Sequence, residues 1–390
     1  MTRTDVNMML TLDPPMQNMD DDSIDEKGII SSERDAILKR ANYYKKMEDK
    51  KRGPIKIVVP TLNGERVLVT RFLTPQKPPP EITKVTEAAR YVSLIPFMED
   101  WQLFVGNEDM WSYSSQFLDL CAGDWEEHAV LLRNYFAFLD GNRFDNCIVF
   151  GHGLPEGDTV YVMRKPSDEI DNEITFWNAS TGIEYARSDT RCTLQSISCI
   201  ATEDNVYINI QLTSSPARMK FDFTNIKMWK PFFDKKFTIP DDYAPSQPEI
   251  RYTPTPVKDL DGLERQILET LRVDLKEWRS KSYQTYLNTT VARDMQKTLE
   301  DLENHKMGKE GFTEYAHLDA LKKWTATYDF TGFPMNFTFT DVKAISYALK
   351  DTNIHMNEDP DVKFAITVKC FGYSNGIISV WVYVAALVRR

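Results

Sequence analysis

No run of the sequence approaches the roughly 18 to 20 apolar residues that span a bilayer, and the first thirty residues carry acids where a signal peptide needs an apolar stretch. A soluble chain is expected. Cysteine is scarce: Cys121, Cys147, Cys192, Cys199 and Cys370 are odd in number, scattered and without a CxxC pair. That excludes a disulfide framework and a zinc knuckle, and points to reduced, intracellular thiols. Positive charge is also short, with 47 Lys and Arg against 58 Asp and Glu, a net charge of −11 and pI near 5.1. Such a chain lacks the broad positive field that phosphate backbones require, so nucleic acid is not an expected partner. Neither GxGxxG nor GxxxxGK[ST] occurs, which leaves nucleotide-binding loops without support. His305, His317 and His355 have no paired ligands at metal spacing, so neither a metal nor another cofactor is expected. Sequons at Asn178, Asn288 and Asn336 read as chance matches for want of a secretory signal.

What is present is enough apolar surface for a core, 42% hydrophobic and 12% aromatic over 390 residues, a length for two or three domains. Residues 1–53 hold an acidic run from Asp20 to Glu26 and then a mixed-charge stretch from Glu33 to Arg52, read as a tail plus an attachment helix. In residues 54–84, Asn63-Gly64 between IKIVVP and RVLVTRF signals a hairpin, and the Pro78–Pro80 run a stiff connector. Residues 85–245 begin with helices near Glu87–Leu94, at Ser115–Cys121 and from Trp125. Strands follow in NCIVF, DTVYVM, EITFW, SISCIA and NVYINIQL. Helices first and an antiparallel sheet afterwards make the fold class α+β. A Pro-studded segment, 240–256, reads as a linker. Across 246–330, Leu260, Leu263, Ile267, Leu271, Leu275 and Trp278 form one helical stripe that packs on its own domain, followed by helices around Val291–Leu302 and Phe312–Trp324. Residues 331–390 close the chain as a small α+β unit: a helix from Asp341 to Leu349, then a hairpin turning at Ser374-Asn375-Gly376. Its last strand is so apolar that both faces should be covered.

The segment Gly123-Asp124-Trp125-Glu126-Glu127-His128-Ala129 carries the most chemistry. Asp124 with Glu127 three residues later is a capping box, and Trp125, Ala129, Leu132, Phe136 and Leu139 make the buried stripe. Capping also accounts for the carboxylates there better than glycosidase chemistry does. Cys121 and His128, seven apart, make an unconvincing nucleophile and base, since Cys121 ends an apolar stretch and suits a small buried hydrophobe. His152, in Gly151-His152-Gly153, is read in a turn.

A glycine, a helix start, an Ala four residues in, and strands NCIVFGHG and FWNASTG after it resemble the transglutaminase-like, papain-related core. In active members the nucleophilic Cys lies four residues before that Ala, with His and Asp on the following strands. A helix N-terminus and a neighbouring imidazolium stabilise thiolate there. The resemblance places Trp125, Thr159 and Asn178 at those positions, and none can act as nucleophile, proton shuttle or charged orienter. It also makes Trp125, His128, Tyr161, Trp177 and Asn178 the candidate binding residues of a vacated cleft, with Trp125 as either peptide anchor or core plug.

The strings ARYVSLIPF, SQFLDLCAGDWEEHAVLLRNYF, GLPEGDTVYV, NVYINIQ, KMWKPFF, TGFPMNF and SVWVYVAALVRR resemble the C-terminal half of the coiled-coil and C2 domain-containing protein 2A family, from about Ile55 to the last residue. The resemblance implies a catalytically empty scaffold of the ciliary transition zone and basal body, in the cytoplasm and cytoskeleton. It also implies support of cilium formation and partners in the Meckel-syndrome and tectonic complex. Family members are expected to carry coiled coils and a C2 domain ahead of this region. The 50 or so residues here suggest a fragment or a short form. Two other readings stay open: an active cysteine amidase or peptidase, and a membrane-surface adaptor using Lys45, Lys46, Lys50, Lys51 and Arg52.

Overall fold

The computed structural model describes residues 30–31, 33–48, 51–103, 109–167, 173–240, 244–245, 247–279 and 283–390. The acidic run at Asp20–Glu26, Lys50 and the His317 side chain lie outside the described residues.

The chain opens with β1 (Ile30–Ser31), α1 (Asp35–Lys45), β2 (Val58–Pro60) and β3 (Glu65–Leu68). Asn63-Gly64 turns β2 into β3 as a hairpin, Gly64 at φ 74°, and β1 adds in parallel to give the order β1-β3-β2. RVLVTRF is only part strand: after Leu68 the chain tightens into a 3-10 turn over Val69–Phe72.

Four helices follow, α2 (Val85–Ser93), α3 (Asp100–Leu103), α4 (Ser114–Leu120) and α5 (Trp125–Asp140). Then come β4 (Phe144–Gly153), β5 (Gly157–Pro166), β6 (Thr175–Asn178), β7 (Ile183–Ala186), β8 (Leu194–Ala201), β9 (Val206–Asn209) and β10 (Trp229–Pro231). They form one antiparallel sheet, β10-β9-β8-β4-β5-β6-β7. Strand alternation divides its side chains. Ile148, Phe150, Val160, Val162 and Trp177 join the core with Ala129, Leu132 and Phe136 of α5. Val149, Tyr161, Met163 and Phe176 face the other way, under Met219, Phe221 and Trp229. His152 lies within β4 rather than in a turn, its Nδ1 3.3 Å from Asp158.

The remainder is α6 (Val257–Arg279), β11 (Tyr286–Leu287), α7 (Thr289–Lys306), α8 (Ala316–Thr325), β12 (Tyr328–Thr338), α9 (Val342–Asp351), β13 (Lys363–Gly372) and β14 (Ile378–Arg389), with sheet order β11-β13-β14-β12. The stripe of α6 packs inward, Ile267, Leu271 and Leu275 being fully buried with Ile345 and Leu349 of α9 against Val380, Val382 and Val384. Val291, Met295 and Leu299 of α7 cover Trp381, Tyr383, Ala385 and Leu387 from the opposite side. The apolar last strand is therefore central and covered on both faces. Pro334 lies in β12, an edge strand, the part of a sheet where a residue without an N–H is ordinarily found.

The segment read as a linker is pinned to its surroundings. Gln247 accepts from Ser114 N at 3.0 Å, Tyr252 donates to Lys77 O at 2.7 Å, and Asn375 N donates to Thr253 O at 2.7 Å. Across the same contact region Glu303 of α7 is buried among donors. Arg90 of α2 approaches at 2.8 Å, Ser379 at 2.9 Å, Tyr373 and Trp381 at 2.5 Å each. Arg90 also reaches Asn336 at 2.9 Å.

Candidate functional site

The N-terminus of α5 is built from its capping box. Asp124 accepts from Glu126 N at 3.2 Å, while Glu127 accepts from Asp124 N at 3.2 Å and from Ser112 N at 2.9 Å. Gly123 must be glycine for close packing: a Cβ there would stand 2.8 Å from the buried Phe117 ring. Asp100 of α3 brings a third carboxylate, and an oxygen of each of Asp100, Asp124 and Glu127 lies within 4.8 Å of the others. Asp100 already accepts from Met110 N at 2.5 Å, so all three are engaged by backbone amides, Asp124 and Glu127 as the cap of α5, though the donor set is one a cation could use. Burial first, then the mutual repulsion of neighbouring carboxyls, pushes Asp124 and Glu127 above the usual carboxylate range.

Trp125, at the first helical position, is half-buried with its ring 4.5 Å from Phe97. His128 one turn on has no exposed surface. Its Nδ1 lies 2.6 Å from Asp124 O and its Nε2 3.1 Å from Ile95 O, with the Phe117 ring at 4.9 Å. Two carbonyls facing a ring that carries one N–H when neutral leave one contact unsatisfied. Burial holds its pKa below the ordinary value, against the pull of those carbonyls.

The remaining sequence-derived residues fall on both sides of the sheet. Trp177 faces α5, edge-on to Phe136 at 5.1 Å, and is 3% exposed. Tyr161 and Asn178 meet on the far face, Asn178 Nδ2 donating to Tyr161 Oη at 3.1 Å and Tyr161 pairing with Thr193 Oγ1 at 2.6 Å. Thr159, two residues before Tyr161, shares that face by alternation and is buried, its hydroxyl without a partner. The structure thus groups Thr159, Tyr161 and Asn178 away from the α5 side, and Trp125, His128 and Trp177 on it. Of these, Trp125 alone reaches the surface appreciably. Beside it sequence reasoning passed over Phe97, 37% exposed, and Trp101, 64% exposed. Their signal was the aromatic pair flanking the acids in PFMEDW.

None of the five thiols is poised for attack. Burial raises all of them, Cys147, Cys199 and Cys370 to about 12, with Asp119 adding to burial at Cys121. Cys121 ends α4 in the left-handed conformation and points its sulfur at Leu118 O, 3.2 Å away. No helix among the described residues is long and apolar enough to cross a membrane.

Comparisons with known proteins match residues 109–232 to the CEP76 peptidase-like domain and residues 256–389 to the Centrosomal protein of 76 kDa C-terminal domain. Similar curated proteins include human Protein CC2D2B, 30% identical over 99% of this chain and 27% of its own length. Coiled-coil and C2 domain-containing protein 2A of Drosophila melanogaster is 26% identical over 85% of this chain and 25% of its own. Centrosomal protein of 76 kDa from Danio rerio is 24% identical over 78% and 48%. The chain spans about a quarter of the length of the first two of these relatives. With identity to both CC2D2 proteins running through most of its length, the chain is a homologue of the coiled-coil and C2 domain-containing protein 2A family.

Proposed function

We propose that the chain is a non-catalytic, protein-binding scaffold of the ciliary transition zone and basal body, supporting ciliary gate assembly and cilium formation. Its partners are other proteins of the Meckel-syndrome and tectonic complex. The family relationship and the centrosomal name of one relative support the location. The observation that carries the non-catalytic part is chemical. Where a thiol enzyme of this architecture needs its sulfur, the helix begins with Trp125, and every cysteine has its thiol raised rather than activated.

The core at 85–245 is, on this reading, a transglutaminase-like fold that kept its helix on the sheet and lost its chemistry. The match to a peptidase-like family supports that descent. The face around Trp125, Phe97 and Trp101 then offers exposed aromatics at the start of α5, the residue types that anchor peptides. Tagged chain expressed in ciliated cells tests this. Wild type recovers members of the Meckel-syndrome and tectonic complex, and Trp125→Ala loses them with little change in melting temperature. A large drop in melting temperature instead makes Trp125 a core plug, and undiminished recovery removes this face from the account.

A further inference from the structure

A second surface lies where the segment after α1 crosses the end of β9. Met47, Arg52, Ile55, Ile208, Asn209 and Ile210 line a pocket of about 270 Å³ there. Ile55 and Ile208 form a buried apolar floor, 6% and 3% exposed, while Met47 and Ile210 stand at the rim, each 42% exposed. Asn209 and Arg52 supply a polar wall, Arg52 Nη1 donating to Asn209 O at 3.2 Å. The rim is cationic although the whole chain carries −11. Lys45 and Lys46 immediately precede Met47 and are exposed, as is Lys51 before Arg52. Lys230 sits with Nζ 3.7 Å from Met47 Sδ, over the Tyr43 and Tyr44 rings at 5.2 and 4.7 Å. Of the described acids nearby, Glu48 is exposed and accepts from Ile55 N at 3.3 Å, and Asp234 pairs with Arg40 at 2.7 Å.

We propose that this pocket docks an acidic peptide segment of a partner protein, inserting one large apolar side chain between Met47 and Ile210 while its carboxylates meet Lys45, Lys46 and Lys230. Charge complementarity selects the acidic flanks, and the apolar floor selects the anchor. The volume falls below the roughly 300–1,000 Å³ typical of small-molecule sites, which suits a single side chain. A membrane fits less well. An anionic bilayer meets the whole face of a chain with net charge −11, whereas a short peptide at physiological salt senses charges within about 8 Å. The inference rests on the protein-binding reading above but uses a different surface. Loss of complex recovery by Trp125→Ala reports on the first surface and leaves this one untouched.

The test is fluorescence anisotropy with labelled peptides Glu-Asp-X-Asp-Glu, X being Leu, Ile, Phe, Trp or Ser, titrated with the full chain. At least one apolar X binds tenfold or more tighter than Ser. Ile210→Glu and the double variant Lys45→Glu/Lys46→Glu, all at exposed positions, each weaken that binding at least fivefold with unchanged melting curves. Added salt weakens it further. Equal binding of the Ser peptide, or no binding by any of the set, overturns the proposal. So does preferential binding to phosphatidylserine vesicles that the Lys variant abolishes, which assigns the patch to a membrane. A concentration-dependent dimer dispersed by Ile210→Glu overturns it in favour of a second copy of the chain.

Discussion

Two buried carboxylates behave oppositely because of what surrounds them. Burial alone would raise Glu303, but the Arg90 charge and the bonds from Arg90, Trp381 and Tyr373 hold it below its ordinary value. A lowered folded pKa stabilises above the unfolded value, near 4.3, and that contribution is lost as pH falls through the folded one. Arg90→Ala should therefore cost about 3–5 kcal/mol in urea unfolding at neutral pH, because it leaves Glu303 buried without its cation. A loss within about 0.5 kcal/mol, the size of an ordinary surface substitution, contradicts this. Glu127 is the reverse case. Its pKa is raised, so its contribution is complete below about pH 4 and fades as pH rises through the raised value. Glu127→Gln removes the charge and keeps one acceptor oxygen, for Ser112 N or for Asp124 N but not for both. Melting temperatures measured from pH 5 to 9 should fall with pH in wild type and fall less in the variant. Parallel curves would contradict the assignment.

Among the elements, α5 was legible because its start is local: Asp124 caps, Glu127 answers three residues later, and Gly123 permits the approach of Phe117. Gly123→Ala should destabilise by about 1–3 kcal/mol, since the buried Phe117 ring cannot give way freely. An unchanged midpoint in denaturant would show that the ring moves. The covered last strand was legible too, from its unbroken apolar run, and so was the inward stripe of α6. Leu271→Ala, in the middle of that stripe, should cost about 2–5 kcal/mol by calorimetry. A change near zero would mean the stripe is not load-carrying packing.

What stayed hidden was relational. The side of the sheet on which Thr159 and Asn178 fall depends on strand parity, and one residue of slip reverses it. β12 was missed because Pro334 and Gly332 weaken its strand signal, and only its pairing with β14 explains how an edge tolerates them. The 240–256 segment looked like a linker because prolines mark extended chain equally whether it is free or strapped to a surface.

At the scale of the whole molecule, the α2–α5 region and the C-terminal part of the chain meet through pairs distant in sequence. Arg90 and Glu303 are 213 residues apart, Cys121 and Asn375 254. No periodicity or motif announces such contacts, which is why the sequence supported the family and the helix start better than the architecture that joins them. The central claim is that this architecture carries shape for binding without thiol chemistry. Its most direct test is timed alkylation by dilute iodoacetamide at neutral pH, followed residue by residue by mass spectrometry on the folded chain. Slow labelling of all five cysteines, with Cys121 and Cys192 ahead of the buried three only in proportion to their exposure, is the predicted result. One cysteine reacting orders of magnitude faster than the rest would contradict it and restore an enzyme.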